Sequence, residues 1–188
     1  MGEYKTRVIT KEEYKEIITT IRKGFLNARP NNQVATALVL EANLGIRISD
    51  ILNLKLNSII KDGTRYRLDI IEQKTDKKRT FTVPIEIYIY IQQYCIDNNI
   101  KSNEKIFTIT PRQVQRVLKD ATQYLDIKDV STHSFRKFYA TNIYIDNNFV
   151  IKLVKELLQH ASIKTTQEYI GIGTEQLERA IQNNLNLI

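Results

Sequence analysis

The sequence predicts a mostly α-helical α+β fold, with a small three-stranded antiparallel sheet inserted near residues 57–83. Three observations predict it. Apolar residues recur at helical spacing up to about residue 54 and again after residue 84. Between them the pattern changes period, to short apolar runs. Two polar turns separate those runs.

The elements follow in order. Thr10 and Glu13 form a capping-box pattern opening a helix whose apolar face carries Tyr14, Ile17, Ile18 and Ile21, with Gly24 as its stop. A second helix runs from about Asn32 to Leu44, with Val34, Leu38 and Ala42 four apart, and ends at Gly45. Ser49 is the expected cap of a short third helix carrying Ile51, Leu52 and Leu54. Asp62-Gly63 then turns the chain between Ile59-Ile60 and the stretch from Tyr66 to Ile71. A second turn, Lys74 to Lys78, leads into Thr80–Val83. Pro84 closes the sheet and suits the first position of a helix over about 85–97. Thr110-Pro111 opens another, to about Tyr124. Further helices are expected from Ser131 or Thr132 to Ile145, from Phe149 to Leu158 and from Lys164 to Tyr169. Thr174 caps a last one, over 174–188, where Leu177, Ile181, Leu185 and Ile188 form a stripe.

Composition narrows the class. The 188 residues read as one domain, 1–188, able to bury a core without disulfides. Lys and Arg number 28 against 21 Asp and Glu, a formal charge of +7, which favours a polyanionic partner. One cysteine, Cys95, excludes an intramolecular disulfide. A Cys/His zinc site would need every such side chain of the two histidines and one cysteine, so no metal is expected. No apolar run approaches the length of a membrane span, and the amino terminus lacks the apolar core of a signal peptide. The expectation is a soluble, cytoplasmic protein.

Glycine-rich phosphate loops, Gly-x-Ser-x-Gly and His-Glu-x-x-His are all missing from the sequence. The positive signal is an ordered set of polar residues: Gly45-Ile46-Arg47-Ile48-Ser49-Asp50, then Lys74-Thr75 with Val83-Pro84, then His133-Ser134-Phe135-Arg136 with Ala140-Thr141, then Leu158-Gln159-His160, and a run of threonine, glutamine and glutamate ending at Tyr169. This set resembles the C-terminal catalytic domain of the tyrosine recombinase (phage integrase) family, over about residues 8–172. Each piece is common alone; five in family order at family-like separations are specific.

The resemblance implies a site-specific DNA recombinase acting through a covalent 3′-phosphotyrosine. Tyr169 would be the nucleophile, Arg47 and Arg136 would grip the phosphate, and Lys74 would protonate the leaving 5′ oxygen. His133 would assist proton transfer, His160 would hydrogen-bond a non-bridging oxygen, and Asp50 would orient the Arg47/His133 side. No cofactor is implied. Double-stranded DNA is the implied partner, with a homo-oligomer, four protomers in the family pattern, assembled on it. The chemistry suits these residue types. Guanidinium holds phosphate oxygens bidentately and stays charged, while a tyrosine hydroxyl, with a pKa near ~10, needs help to attack.

Two positions depart from the family pattern: Gln159 stands where Gly usually precedes the second His, and Lys137 where His commonly follows the second Arg. The N-terminal domain that completes a clamp on DNA in this family is not expected within so few leading residues. Arg112, Arg116 and Lys119 share one helix face, which fits DNA-backbone contact or a solvated basic face equally. The 174–188 stripe fits packing on its own domain or an oligomer contact. Rival functions are relaxation of DNA in the manner of a type IB topoisomerase and a non-catalytic DNA-binding or regulatory role. An RNA-binding module is disfavoured, because no aromatic-rich strand motif is present.

Overall fold

A computed structural model describes residues 6–72 and 78–171, and the chain divides into two compact units, Met1–Tyr139 and Ala140–Ile188. The expected Lys74 turn tip and the expected helix over 174–188 lie outside the described residues.

The first unit opens with α1 (Lys11–Lys23), and both arms of the Thr10/Glu13 capping box are formed. Gly24, at φ +78°, ends it. Helix α2 (Asn32–Leu44) is capped by the Asn31 side chain, which accepts from the Val34 amide, and stops at a left-handed Gly45. Its residues Val34, Leu38, Ala42 and Thr36 are all buried, so α2 is enclosed on most faces rather than amphipathic. Helix α3 (Ile48–Ile51) starts earlier than expected. Arg47, in extended backbone, takes the cap position, and Ser49 lies inside the first turn. No capping hydrogen bond comes from the Arg47 side chain, so the sequence holds no cap signal for that start.

A 3₁₀ turn (Leu56–Ser58) leads into the sheet, formed by β1 (Ile59–Asp62), β2 (Arg65–Ile71) and β3 (Lys78–Val83) in the order β1-β2-β3, both pairs antiparallel. Leu68, fully buried, pairs with Ile59 on one side and Phe81 on the other, so the apolar side of the sheet faces the core. Pro84 sits one residue before α4 (Ile85–Asp97), at its cap rather than its first helical position. Helix α5 (Pro111–Tyr124) carries the expected Thr110 cap, with Gln113 completing the box and Val114, Leu118 and Ala121 buried. Helix α6 (Thr132–Asp146) starts in this unit. Tyr14 of α1 stacks on Phe138 at 5.2 Å and meets Phe135 edge-on, fixing α1 against α6.

The second unit holds the end of α6, then α7 (Ile151–Leu158) and α8 (Ile163–Ile170). Helix α7 begins two residues later than expected because Asn148 and Phe149 both take left-handed backbone, which a helix cannot include. Ser162 caps α8 by accepting from the Thr165 amide. No described helix is long and apolar enough to cross a membrane.

Candidate active site

In the first unit the site grows from the end of α2. Gly45 closes α2 at φ +60°, and a side chain there would lie 2.2 Å from the Tyr139 ring of α6. This close approach lays the Gly45–Ile48 segment against α6, the helix that carries His133 and Arg136. Arg47 emerges directly after the turn. Its guanidinium donates through Nη1 to the Glu72 carboxylate at 2.6 Å, a short charge-assisted bond reaching from α3 to the end of β2. Asp50 is buried in the first turn of α3, where its charge also suits the helix dipole.

On α6, Arg136 is only 4 % exposed, while His133, one turn earlier, is exposed. The helix start is locked by Ser131, whose amide donates to Ser134 Oγ. Glu41 of α2, fully buried, is influenced by the Arg136 charge and by the Ile48 amide beside Arg47. Burial holds the Glu41 carboxyl well above the usual carboxylate range, and the Arg136 charge and the Ile48 amide pull it partly back. Arg136 and the chain turn that carries Arg47 therefore both border one buried acid, although 89 positions separate the two arginines in the sequence (136 − 47 = 89).

Sequence reasoning missed Glu41 and Glu72. Glu41 did carry a signal, a lone ionisable residue inside the apolar run from Val34 to Leu44. Glu72 carried none, because it ends an ordinary strand. Lys137, the departure beside Arg136, sends its ammonium to the Thr6 carbonyl at 2.7 Å. It braces the amino-terminal segment.

In the second unit, α7 ends on Gln159 in left-handed backbone, with the His160 amide bonded to the Lys155 carbonyl at 3.0 Å. That turn sets the direction of the His160 ring. Thr166 Oγ1 donates to the Ser162 carbonyl at 3.2 Å and lies 3.1 Å from His160 Nδ1. With its one proton committed, the hydroxyl accepts from Nδ1–H, which sets the tautomer of the ring. Tyr169 lies two turns into α8, its ring edge-on to His160 at 5.0 Å between centroids and its hydroxyl buried. His160 and Tyr169 are thus brought together by one short helix–turn–helix.

The Gln159 conformation carries a prediction. A glutamine at φ +54° costs about 1 kcal/mol relative to glycine. Gln159→Gly should therefore raise stability by about 0.5–1 kcal/mol, since the gain is offset in part by a freer unfolded chain. Thermal unfolding checks this; an unchanged or lower midpoint would show that the Gln159 side chain contributes more than its backbone costs.

Arg112, Arg116 and Lys119 form one exposed face of α5, lining an open groove of about 530 Å³ with Thr110, Gln113 and Gln115. Among the described residues no three His, Cys, Asp or Glu side chains converge as a metal site.

The phage integrase family model matches residues 7–175. The chain belongs to that family. Among curated relatives, tyrosine recombinase XerA of Pyrococcus furiosus is 28% identical over 185 residues, covering 93% of this chain and 60% of that protein. A probable integrase/recombinase of Bacillus subtilis, YoeC, is 27% identical over 172 residues, covering 88% of this chain and 91% of its own length. The chain spans about half to three-fifths of the length of its XerA and XerC relatives. The fold agrees with a catalytic domain of bacteriophage HP1 integrase, at a TM-score of 0.66, 18% identity and 95% coverage of both chains. It also agrees with XerA recombinase, at 0.70 and 19%, covering 100% of this chain and 67% of that one. The helical fold with its small antiparallel sheet is therefore that of an integrase catalytic domain.

Proposed function

We propose that this chain is the catalytic part of a site-specific DNA recombinase, working through a 3′-phosphotyrosine. The observation that carries the reading is the convergence of Arg136 and the Arg47-bearing start of α3 on one buried carboxyl. Two guanidinium groups, Arg136 beside Glu41 and Arg47 on Glu72, suit a phosphate whose non-bridging oxygens gain charge in the transition state. Tyr169 Oη attacks phosphorus and the P–O5′ bond breaks. The tyrosine gives up its proton to the His133 imidazole, and the departing 5′ oxygen receives one from Lys74. His160 hydrogen-bonds a non-bridging oxygen, and His133, exposed on α6, assists proton transfer; Asp50 steadies the Arg47/His133 side. A second 5′-hydroxyl then reverses the step on a new strand. Phosphodiester energy is kept in the protein–DNA bond, so the scheme needs no nucleotide, and the arginines supply the charge a metal otherwise would.

The substrate is double-stranded DNA in the cytoplasm. Arg112, Arg116 and Lys119 contact its backbone, and copies of the chain assemble on it, four in the family pattern. The net charge of +7 supports this, as do proteins of similar fold, a XerH recombinase bound to its difH substrate and a lambda integrase dimer bound to a core site.

The test is a supercoiled plasmid bearing two candidate sites. Deletion or inversion products support recombination. Relaxed plasmid without exchange would replace this reading with a topoisomerase-like one, and binding without either product would make the chain a non-catalytic DNA-binding protein.

A further inference from the structure

The structure assigns Glu72 a positioning role: we propose that it holds the Arg47 guanidinium in the orientation that receives the scissile phosphate. This rests on the recombinase reading. The two partners differ sharply in burial. The Glu72 side chain is 1% exposed and that of Arg47 is 24%, at 2.6 Å between Oε2 and Nη1. Glu72 is therefore the fixed anchor and Arg47 the adjustable group, which reaches solvent on its far side.

Arginine carries five donors in a planar fork, and the contact uses one corner of it. An arginine tethered at one corner has its plane set before substrate arrives, so less side-chain freedom is lost on binding phosphate. Arg47 needs that help. It sits in extended backbone before a single-turn helix, and its side chain makes no capping bond. The anchor comes from the end of β2, whose register with β1 and β3 is fixed by paired backbone from Arg65 to Ile71. The sheet thereby aims an arginine that stands at the start of α3. A carboxylate beside Arg47 also lowers the local positive field, which works against phosphate affinity. The role predicted for Glu72 is therefore visible in rate rather than in binding.

The experiment measures single-turnover formation of the covalent protein–DNA adduct on nicked substrates, at saturating protein. The proteins are wild type, Glu72→Ala, Glu72→Gln, Arg47→Lys and the Glu72→Ala/Arg47→Lys double variant. DNA affinity and melting temperature are recorded for each. A displaced guanidinium costs about 10- to 100-fold in rate. Glu72→Ala is expected to lose that much with DNA affinity unchanged or higher, and Glu72→Gln, which still accepts a hydrogen bond, to recover most of the rate. In the double variant the Glu72 change is expected to add little beyond Arg47→Lys, because the anchor acts through the arginine. A merely structural Glu72 would instead give additive losses that track the melting temperature. That result, or a Glu72→Ala rate equal to wild type, overturns the assignment while the recombinase reading stands. Absence of adduct from the wild-type protein on every site tried, with DNA bound, overturns both.

Discussion

Replacing Arg136 with lysine is expected to lower covalent attachment to DNA by about 10²–10³-fold while leaving most of the fold's stability in place. The two losses separate because Arg136 does two things. Its charge compensates the fully buried Glu41, and lysine keeps that charge. In the proposed mechanism its planar fork grips two phosphate oxygens at once, and lysine, a single point charge, cannot. Arg136→Ala removes both and takes from the buried Glu41 the cation that pulls its carboxyl down. The pH dependence gives a further signature. Glu41 already titrates well above the usual carboxylate range, and the Arg136 charge is what pulls it down. Removing Arg136 raises it further. A carboxyl whose folded-state value lies above its unfolded one contributes stability in the protonated form and loses it as pH rises through the window between the two. Arg136→Ala should therefore fall furthest behind wild type near neutral pH and partly recover on acidification. Melting curves at pH 5 and pH 7.5 check this; a gap that stays constant or widens at pH 5 would contradict the role given to Glu41.

Gly45→Ala is expected to be the most damaging small substitution in the first unit. The added carbon would lie 2.2 and 2.4 Å from two atoms of the Tyr139 ring, at a backbone φ of +60°. Left-handed backbone costs an alanine about 1 kcal/mol, and forcing the ring aside about 1–3 more. The sum is about 2–4 kcal/mol, or roughly 5–15 °C in melting temperature for a chain of this size. Gly63 is the internal control. Its φ is +61°, yet nothing lies within 4 Å of an added carbon. Gly63→Ala should show the backbone cost alone. Equal losses at the two positions would show that the Tyr139 contact matters little. The larger loss at Gly45 should also extend to activity, because the same contact fixes the turn from which Arg47 emerges.

Much of this was legible in the sequence where signals are local. The Thr10 capping box, the Thr110 cap, the Asn32–Leu44 helix and the Asp62-Gly63 turn rest on local signals, and each formed as read. What escaped depends on contacts between distant segments or on backbone that residue identity does not announce. Helix α3 starts at Ile48 although Ser49 is the better cap, since the Gly45 turn and the packing of Ile46 and Ile51 set the chain's path there. Asn148 and Phe149 take left-handed backbone that delays α7, and phenylalanine gives no sign of it. At the site, Arg47, Arg136, His160 and Tyr169 were named from their order along the chain. The acids beside the arginines were not, because Glu41 is recruited across α2 and α6 and Glu72 across α3 and β2. A tertiary partner leaves no period in the sequence.

The central claim is that Tyr169 becomes covalently joined to DNA. It is tested most directly by incubating the protein, and its Tyr169→Phe variant, with a pool of nicked duplexes that trap the cleaved state. Both are then run on a denaturing gel. The hydroxyl in question is buried and its ring lies edge-on to His160, so the variant removes one oxygen and little packing. The account predicts a slow-migrating protein–DNA band with wild type, carrying DNA through its 3′ end, and none with Tyr169→Phe at equal DNA binding. A band that survives in the variant would contradict it and move the nucleophile elsewhere.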